Sequence, residues 1–412
     1  MVSPFMDDAA KLAAVRSGLP SLAAAIQLNT GSVGPLPAET AAAMNEIAAY
    51  ELATGRADMP YWHETLGRID EARAAVAAAI GGQIDEVALL HATTDGMNIA
   101  AWSLDWAAGD RIVTTGHEHP AVVGPLATIR DRLGVELDVL DIGDGGDDER
   151  TLAAIDAAIT PRTRLVALSH VLWTTGARLP IARIAELTRA RSVVLAVDGA
   201  QAAGAMPVDV SSLGADFYAV AGQKWLLGPE GTDALWVAPA MLEHAQRTYS
   251  GGHGQARFDV TGLWEPHPDA RRFMFSGYHR PSIVGLARSV GWLAMFVGFD
   301  FVHGRGLRLA RRTADALAAI PSVELLTPRD RMSTLVTFRI AGWPAETAVE
   351  ELGSRAFAVV RSITALDAVR ASVGFFNSED ELDRFAAAVA FLAAHTPDTI
   401  PARRTLEIVH ST

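Results

Sequence analysis

From Val87 to Trp236 the chain alternates short apolar runs with stretches whose apolar residues recur every three or four positions. The runs Val87–Leu90, Asp110–Thr115, Arg164–Ser169, Val193–Asp198 and the one entering Ala219-Val220-Ala221 read as strands, and Ile181–Ala190 reads as a helix between two of them. Strands alternating with amphipathic helices predict an α/β unit with a mostly parallel, doubly wound sheet. Ahead of it, Asp7–Ala25 reads as an alanine-rich helix and Leu28–Pro37 as a rigid, exposed turn built on glycine and proline. Ala38–Leu52 is predicted helical, Arg56–His63 irregular, and Leu66–Ile80 helical again. Past Trp236, Gln246–Arg280 is rich in Gly, His, Arg and aromatic residues, and is too long for a plain connection, so it is expected to be functional or interfacial. Pro281–Gly298 and Phe301–Ala319 read as long helices, the first apolar enough to link two domains. Strands at Val323–Leu326, Thr334–Ile340, Phe357–Val360 and Val369–Phe375, with helices from Ala345 and Glu379, make a smaller α/β unit. The expected organisation is an N-terminal segment, 1–25, joining the small domain, a large domain, 26–285, and a small C-terminal domain, 286–412.

Composition narrows the function. Half of the 412 residues are hydrophobic, enough for a large core. The formal charge of −13, from 48 acids against 35 bases, argues against nucleic acid or an anionic membrane as partner. Acids near the N-terminus where a secretory signal has bases, and no apolar run approaching about 18 residues, point to a soluble cytoplasmic protein. There is no cysteine, which removes disulfides, thiolate metal sites and any thiol nucleophile.

Candidate chemistry centres on Lys224, where an apolar strand runs into the glycine-punctuated turn Gly222-Gln223-Lys224-Trp225-Leu226-Leu227-Gly228. A lysine there is either a surface residue or, if desolvated, an amine that loses its proton near neutral pH and condenses with an aldehyde. Upstream, the strand Val193–Val197 ends on Asp198 and a glycine turn, which aims an acid into the ligand crevice of an open α/β sheet. An acid facing a pyridine nitrogen and a lysine one strand further on suit pyridoxal phosphate (PLP). Thr93-Thr94-Asp95 closes a strand and opens a helix, a geometry that suits a phosphate and equally an ordinary threonine N-cap. His117 and His119 flank Glu118, but their spacing, without cysteine or a nearby third ligand, is a weak metal signal, and no metal is expected.

These stretches together resemble the class V aminotransferase family of fold-type I PLP enzymes, which includes cysteine desulfurases, cystine lyases and isopenicillin-epimerase-like proteins. The similarity runs from about Leu28 to about Phe391. It implies a large PLP-binding domain with a mostly parallel seven-stranded sheet, in which Lys224 holds the cofactor aldehyde as an imine, Asp198 partners the pyridine nitrogen, Gln201 donates to the phenolic oxygen and Gln223 adjoins the cofactor. By the same resemblance Thr93, Thr94 and Asp95 form the phosphate cup, and His119 stacks on the ring. Arg361 forks the substrate carboxylate, while Asn29 and Gly31 lie in the N-terminal active-site loop. Trp173 stands where desulfurases tend to carry asparagine; it is core, or it walls the substrate pocket. Arg370, opening the last strand, reads as structural. In the family a glycine–threonine pair reaches the neighbouring subunit's phosphate; here Ser276-Gly277 aligns with it, and the threonine is missing. A homodimer with shared active sites is therefore expected.

A persulfide-forming desulfurase needs a cysteine after Arg361, and Ser362-Ile363-Thr364-Ala365 supplies none. The expected function is a PLP-dependent carbon–sulfur β-lyase acting on cystine or an S-substituted cysteine. An epimerase or aminotransferase on the same scaffold is the alternative, and a non-catalytic PLP-fold binding module a more remote one.

Overall fold

The structure is a computed structural model that describes residues 6–248 and 250–402. Met1–Phe5, Tyr249 in the Gln246–Arg280 segment, and the end of the C-terminal unit from Arg403 lie outside the described residues.

Seven strands form the main sheet: β1 (Val87–Leu90), β2 (Arg111–Thr115), β3 (Glu136–Leu140), β4 (Thr163–Ser169), β5 (Val194–Asp198), β6 (Phe217–Val220) and β7 (Asp233–Val237), in the order β1-β7-β6-β5-β4-β2-β3. Only β7 runs against the others. Helices cover both faces, so the central strands β5, β6 and β7 are almost wholly buried and read as unbroken apolar runs rather than alternating ones. The carboxyl ends of β4, β5 and β6 bring Ser169, Asp198 and the turn after Val220 to one edge, where an open parallel sheet forms its crevice.

The smaller sheet is antiparallel, with β8 (Val323–Leu325), β9 (Leu335–Ile340), β10 (Arg361–Ile363) and β11 (Ala368–Ser372) in the order β8-β9-β11-β10. The run expected as one strand over Phe357–Val360 divides. Phe357 adopts a left-handed φ of 53° to cap the helix Ala345–Ala356, and only Ala358–Val359 stays extended. That pair leaves the small sheet and joins Ile26–Gln27 in a parallel two-stranded ladder. Ile26 and Leu28 accordingly pack into the small unit's core, with Leu309, Phe338, Val369 and Phe385.

Three helical expectations need correction. Arg56–His63 is not irregular throughout: a helix spans Met59–Ala79, started by Asp58, whose carboxylate accepts from the Tyr61 N–H at 2.8 Å, with Pro60 in the first turn. The N-terminal helix stops at Ser17, because Gly18 and Pro20 divert the chain into a 3-10 turn, Pro20–Ala23. The linker helix Arg280–Gly291 widens into a π-helix, Trp292–Val297, and ends at Gly298 with φ 87°, so the next helix starts at Phe299. There Trp292, Leu293 and Val297 pack against Val15, Leu19 and Phe376, joining the N-terminus to the C-terminal unit. The long Gln246–Arg280 segment contains an antiparallel hairpin, Gln255–Phe258 with Trp264–Pro266, and a 3-10 turn that buries Phe273.

Arg280 pins the linker helix. Its fully buried guanidinium meets Glu51 at 2.9 Å and Glu64 at 3.1 Å, and it sits 4.5 Å from the Tyr61 ring centroid. Removing one member of a buried ion pair strands the other at a cost of about 3 kcal/mol or more. Arg280→Met is therefore expected to lower the thermal midpoint by several degrees. A midpoint within one degree or so of the wild type would show that the clamp contributes little.

Candidate functional site

The lysine turn depends on close backbone packing. A Cβ on Gly222 would fall 2.0 Å from the Thr232 carbonyl oxygen, so only glycine lets the turn fold back, closed by the Gly228 N–H on the Gly222 carbonyl at 2.8 Å. Lys224 is thereby held inside the protein. Burial lowers the pKa of its ammonium, partly opposed by the Asp198 and Asp233 charges. Asp233, at the start of β7, accepts from the Gly222 N–H at 2.9 Å and from the Thr93 N–H at 2.6 Å. Burial pushes its carboxyl up to about 7 against those bonds and the Lys224 charge.

Lys224, Asp198, Gln201, His119 and Trp173 line one narrow cavity, with Ser169 at its floor. Asp198 is fixed by the Ala200 N–H at 2.9 Å. His119 caps the helix Pro120–Leu133: its Nδ1 accepts from the Ala121 N–H at 3.2 Å, which leaves Nε2 to carry the hydrogen of a neutral ring. Burial and the Lys224 charge hold its pKa below the usual imidazole value, with Asp198 opposing. Gln201 donates to the Gly31 carbonyl at 2.8 Å and accepts from the Trp225 indole at 3.0 Å, so one amide hydrogen remains for a ligand. Gln223 leaves its Oε1 buried without a partner. His117, given no role by the sequence, bonds to Thr174 and the Gly143 carbonyl.

The small sheet contributes two arginines where the sequence reading had one. Arg361 and Arg370 are register partners on β10 and β11. Arg361 donates to the Ser32 hydroxyl at 3.0 Å and lies 5.7 Å from the Trp173 ring centroid. Arg370, expected to be structural, donates to the Trp173 carbonyl at 2.8 Å, while its buried Nε and Nη2 have no partner. Burial, and then the Arg361 charge, pull its pKa down to about 9, low for a guanidinium yet still charged at neutral pH. The N–H of Trp173 and the Ser372 hydroxyl are likewise buried and unpaired. Gly31 fits beside these groups only because it lacks a side chain: a Cβ would lie 2.8 Å from the Ser372 hydroxyl and 3.0 Å from Arg370 Nη2. Asn29 turns its amide oxygen to the Ser32 hydroxyl at 2.9 Å. Spacing along the chain could not reveal this pocket, because Gly31 and Arg370 meet only through folding.

On the opposite side, Thr93 and Thr94 begin the helix Thr93–Trp102. Thr94 is exposed there, whereas the Thr93 N–H is committed to Asp233. Asp95 is not available to an anion. Its carboxylate turns back to the His91 and Ala92 N–H groups, both at 3.1 Å, and would repel a phosphate; its work is to cap the helix. Ser276 and Gly277 lie outside the cavity lining, exposed at the surface, with the Ser276 hydroxyl taking the Gly252 N–H at 3.2 Å and Gly277 at φ 96°.

The family model described as aminotransferase class-V matches residues 30–385. Isopenicillin N epimerase of Streptomyces clavuligerus is 32% identical over 390 residues, covering 88% of this chain and 94% of its own. A probable cysteine desulfurase of Xylella fastidiosa is 30% identical over 77% of this chain and 78% of its own. Among solved structures, the cystine C–S lyase C-DES in complex with its product cysteine persulfide superposes with a TM-score of 0.83 at 26% identity, over 90% of this chain and 99% of that one. A mutant of C-DES with glycine covalently linked to its PLP cofactor gives a TM-score of 0.85 at 26% identity, over 91% and 98%.

Behind Asp198 lies a layer with no access to the cavity. His170 Nδ1 bonds to the Tyr218 hydroxyl at 2.8 Å, and burial lowers the His170 pKa to about 4, helped by Arg178. A histidine depressed from 6.5 to about 4 stabilises the fold above pH 6.5, and that contribution is lost as pH falls through 4. The shift corresponds to about 3 kcal/mol. His170→Gln is expected to flatten the acid side of the stability profile: its thermal midpoint should fall less between pH 6.5 and 4 than that of the wild type. An unchanged acid slope would refute this account.

Proposed function

Because the chain belongs to the aminotransferase class-V family, we propose that it is a PLP enzyme that breaks the C–S bond of cystine or an S-substituted cysteine by β-elimination. The cofactor is PLP and the substrate an amino acid, as is common to the family. The residues present fit that cofactor: a buried lysine amine, a strand-end aspartate and a stackable histidine share one cavity, and a helix N-terminus is tied to the lysine turn through Asp233. When bound, PLP supplies an aldehyde for the substrate amine and a ring that takes up the electron pair left at the α-carbon.

The remaining work falls to this chain's own side chains. Lys224, whose ammonium form burial disfavours, holds the cofactor and is the base for the α-proton. Asp198 would face the ring nitrogen, His119 would lie against the ring, and Gln201 would offer its remaining amide hydrogen to the phenolic oxygen. Thr93, Thr94 and Gln223 would border the phosphate. Arg370 brings two unpaired nitrogens to the substrate carboxylate, and Arg361 stands beside it. Elimination then breaks the bond between the β-carbon and sulfur; the electron pair leaves on sulfur, and hydrolysis releases pyruvate and ammonia.

Trp173 carries the choice of elimination. Gripped at its carbonyl by Arg370 and meeting His119 edge-on at 5.4 Å, it walls a compact pocket and presents an unpaired indole N–H, which suits a short side chain with a polar far end. A persulfide-forming desulfuration has no nucleophile here, since β10 passes through a 3-10 turn, Thr364–Leu366, straight into β11 and the chain has no cysteine. Epimerisation is the second reading, favoured by the 32% identity to isopenicillin N epimerase. An amino-acid screen in deuterium oxide separates the two. Pyruvate release from cystine or an S-substituted cysteine is expected, abolished in Lys224→Ala together with the visible absorbance of bound cofactor. Arg370→Ala should raise KM roughly tenfold or more, the cost of a lost charged hydrogen bond. Deuterium entry at the α-carbon with loss of configuration, and no pyruvate from any sulfur amino acid, would establish the epimerase instead.

The site also reads as shared within a homodimer. The exposed Ser276-Gly277 pair reaches no part of its own cavity, and the nearby hairpin exposes Phe258 and Val260. Inactive variants altered at Lys224 and at Ser276-Gly277 should recover partial activity when their subunits exchange. Folded hybrid dimers without recovery would rule out the shared site.

A further inference from the structure

One buried carboxyl beneath the cavity floor has no part in the scheme above. Glu118 directs its side chain under the ends of β2 and β4, where it is almost wholly buried. Its Oε1 accepts from the Thr115 hydroxyl and its Oε2 from the Ser169 hydroxyl, each at 2.6 Å. Both partners are neutral, and the charged group that acts on it is Asp198, of the same sign. Thr115 also receives the His117 N–H at 3.3 Å, which commits its own hydrogen to Glu118. Ser169 is different: it lines the cavity, and across the parallel ladder from β4 to β5 it stands in register with Asp198.

The two protonation states of Glu118 therefore present two different floors. When Glu118 is ionised, both hydroxyl hydrogens point at it, and Ser169 offers the cavity only lone pairs. When Oε2 carries a proton, taken from solvent, the acid donates to Ser169, whose own hydrogen is released towards the cavity and the Asp198 carboxylate. We propose that Glu118 is a positioning residue whose proton, acting through the Ser169 hydroxyl, sets whether the floor beside Asp198 is a hydrogen-bond donor or only an acceptor.

The surroundings support this role. Asp198 on β5, with Tyr218 behind it on β6, places negative or neutral groups on one side; His119 lies on the same turn, and Lys224, Arg361 and Arg370 lie across the cavity. None of the cations contacts Glu118, and two buried carboxylates so close resist ionising together. Burial pushes the Glu118 carboxyl up to about 7, with the two hydroxyls opposing, so the changeover falls in the neutral range.

The experiment compares wild type, Glu118→Gln and Ser169→Ala by two readouts, and rests on PLP occupying this cavity only in the first. The absorbance of the bound cofactor in the holoenzyme should titrate with a step near pH 7 in the wild type, and the step should be lost in both variants. In the cofactor-free enzyme, the infrared carbonyl band of a protonated carboxyl should disappear near pH 7 in the wild type, be missing in Glu118→Gln, and persist at shifted pH in Ser169→Ala. The same absorbance step in either folded variant overturns the proposal. So does an acid band unchanged in Glu118→Gln, which would assign the proton to Asp233. Should Glu118→Gln fail to fold, the absorbance titration of Ser169→Ala decides alone, since a merely structural Ser169 would leave the step in place.

Discussion

Asp233 accepts the backbone N–H groups of Thr93 and Gly222, and through those two bonds the helix that opens at the site's anionic end is fixed to the turn that carries Lys224. The carboxylate is not in the cavity lining, yet it sets the separation between the helix start at Thr93 and the turn that carries Lys224. Its position follows from strand direction. Because β7 runs against its neighbours, its first residue lies at the edge where β5 and β6 end, between β1 and β6. A parallel strand there would have delivered its last residue instead.

Electrostatics explains why so many buried ionisable groups tolerate one another. Lys224, Arg361 and Arg370 place cationic groups around the cavity, while Asp198, Asp233 and Glu118 lie beneath or beside it. Lys224, Arg370, Asp233 and Glu118 are desolvated, and the shift of each of these four is led by burial rather than by a single partner. Such an arrangement is costly without ligands, because Arg370 and Trp173 keep unpaired donors in the interior. An anionic ligand would offset that cost directly.

Legibility in the sequence tracked how local each feature is. Lys224 and Asp198 were readable because a strand and the turn after it are contiguous, and a parallel sheet sends such residues to one edge. In the small unit β8, β9 and β11 were found to within a few residues, but β10 was missed, because the strand expected just before it is cut short where Phe357 takes a left-handed conformation that aromatic residues rarely adopt. Arg370 was misjudged because its partners, Trp173 and Gly31, lie hundreds of positions away and only β-pairing brings them together. Asp95 was misread for the opposite reason: capping its own helix is a purely local act that the sequence pattern states, and the phosphate role borrowed from resemblance overrode it. Glu118 drew only a weak metal reading between His117 and His119, since nothing in the order of residues tells which of two neighbours faces the cavity and which lies beneath it.

The parallel ladder of Ile26–Gln27 with Ala358–Val359 makes the segment that follows it part of the small unit, although Gly34 donates to the Gln223 carbonyl inside the lysine turn of the large one. Residues 28–34 are thus a mechanical strap with one end on each body. Any tilt of one lobe against the other would be felt first there, as tension between Gly31 at the arginines and Gly34 at the lysine. Lengthening the strap by even one residue would decouple the position of the two arginines from that of the lysine turn, without altering either.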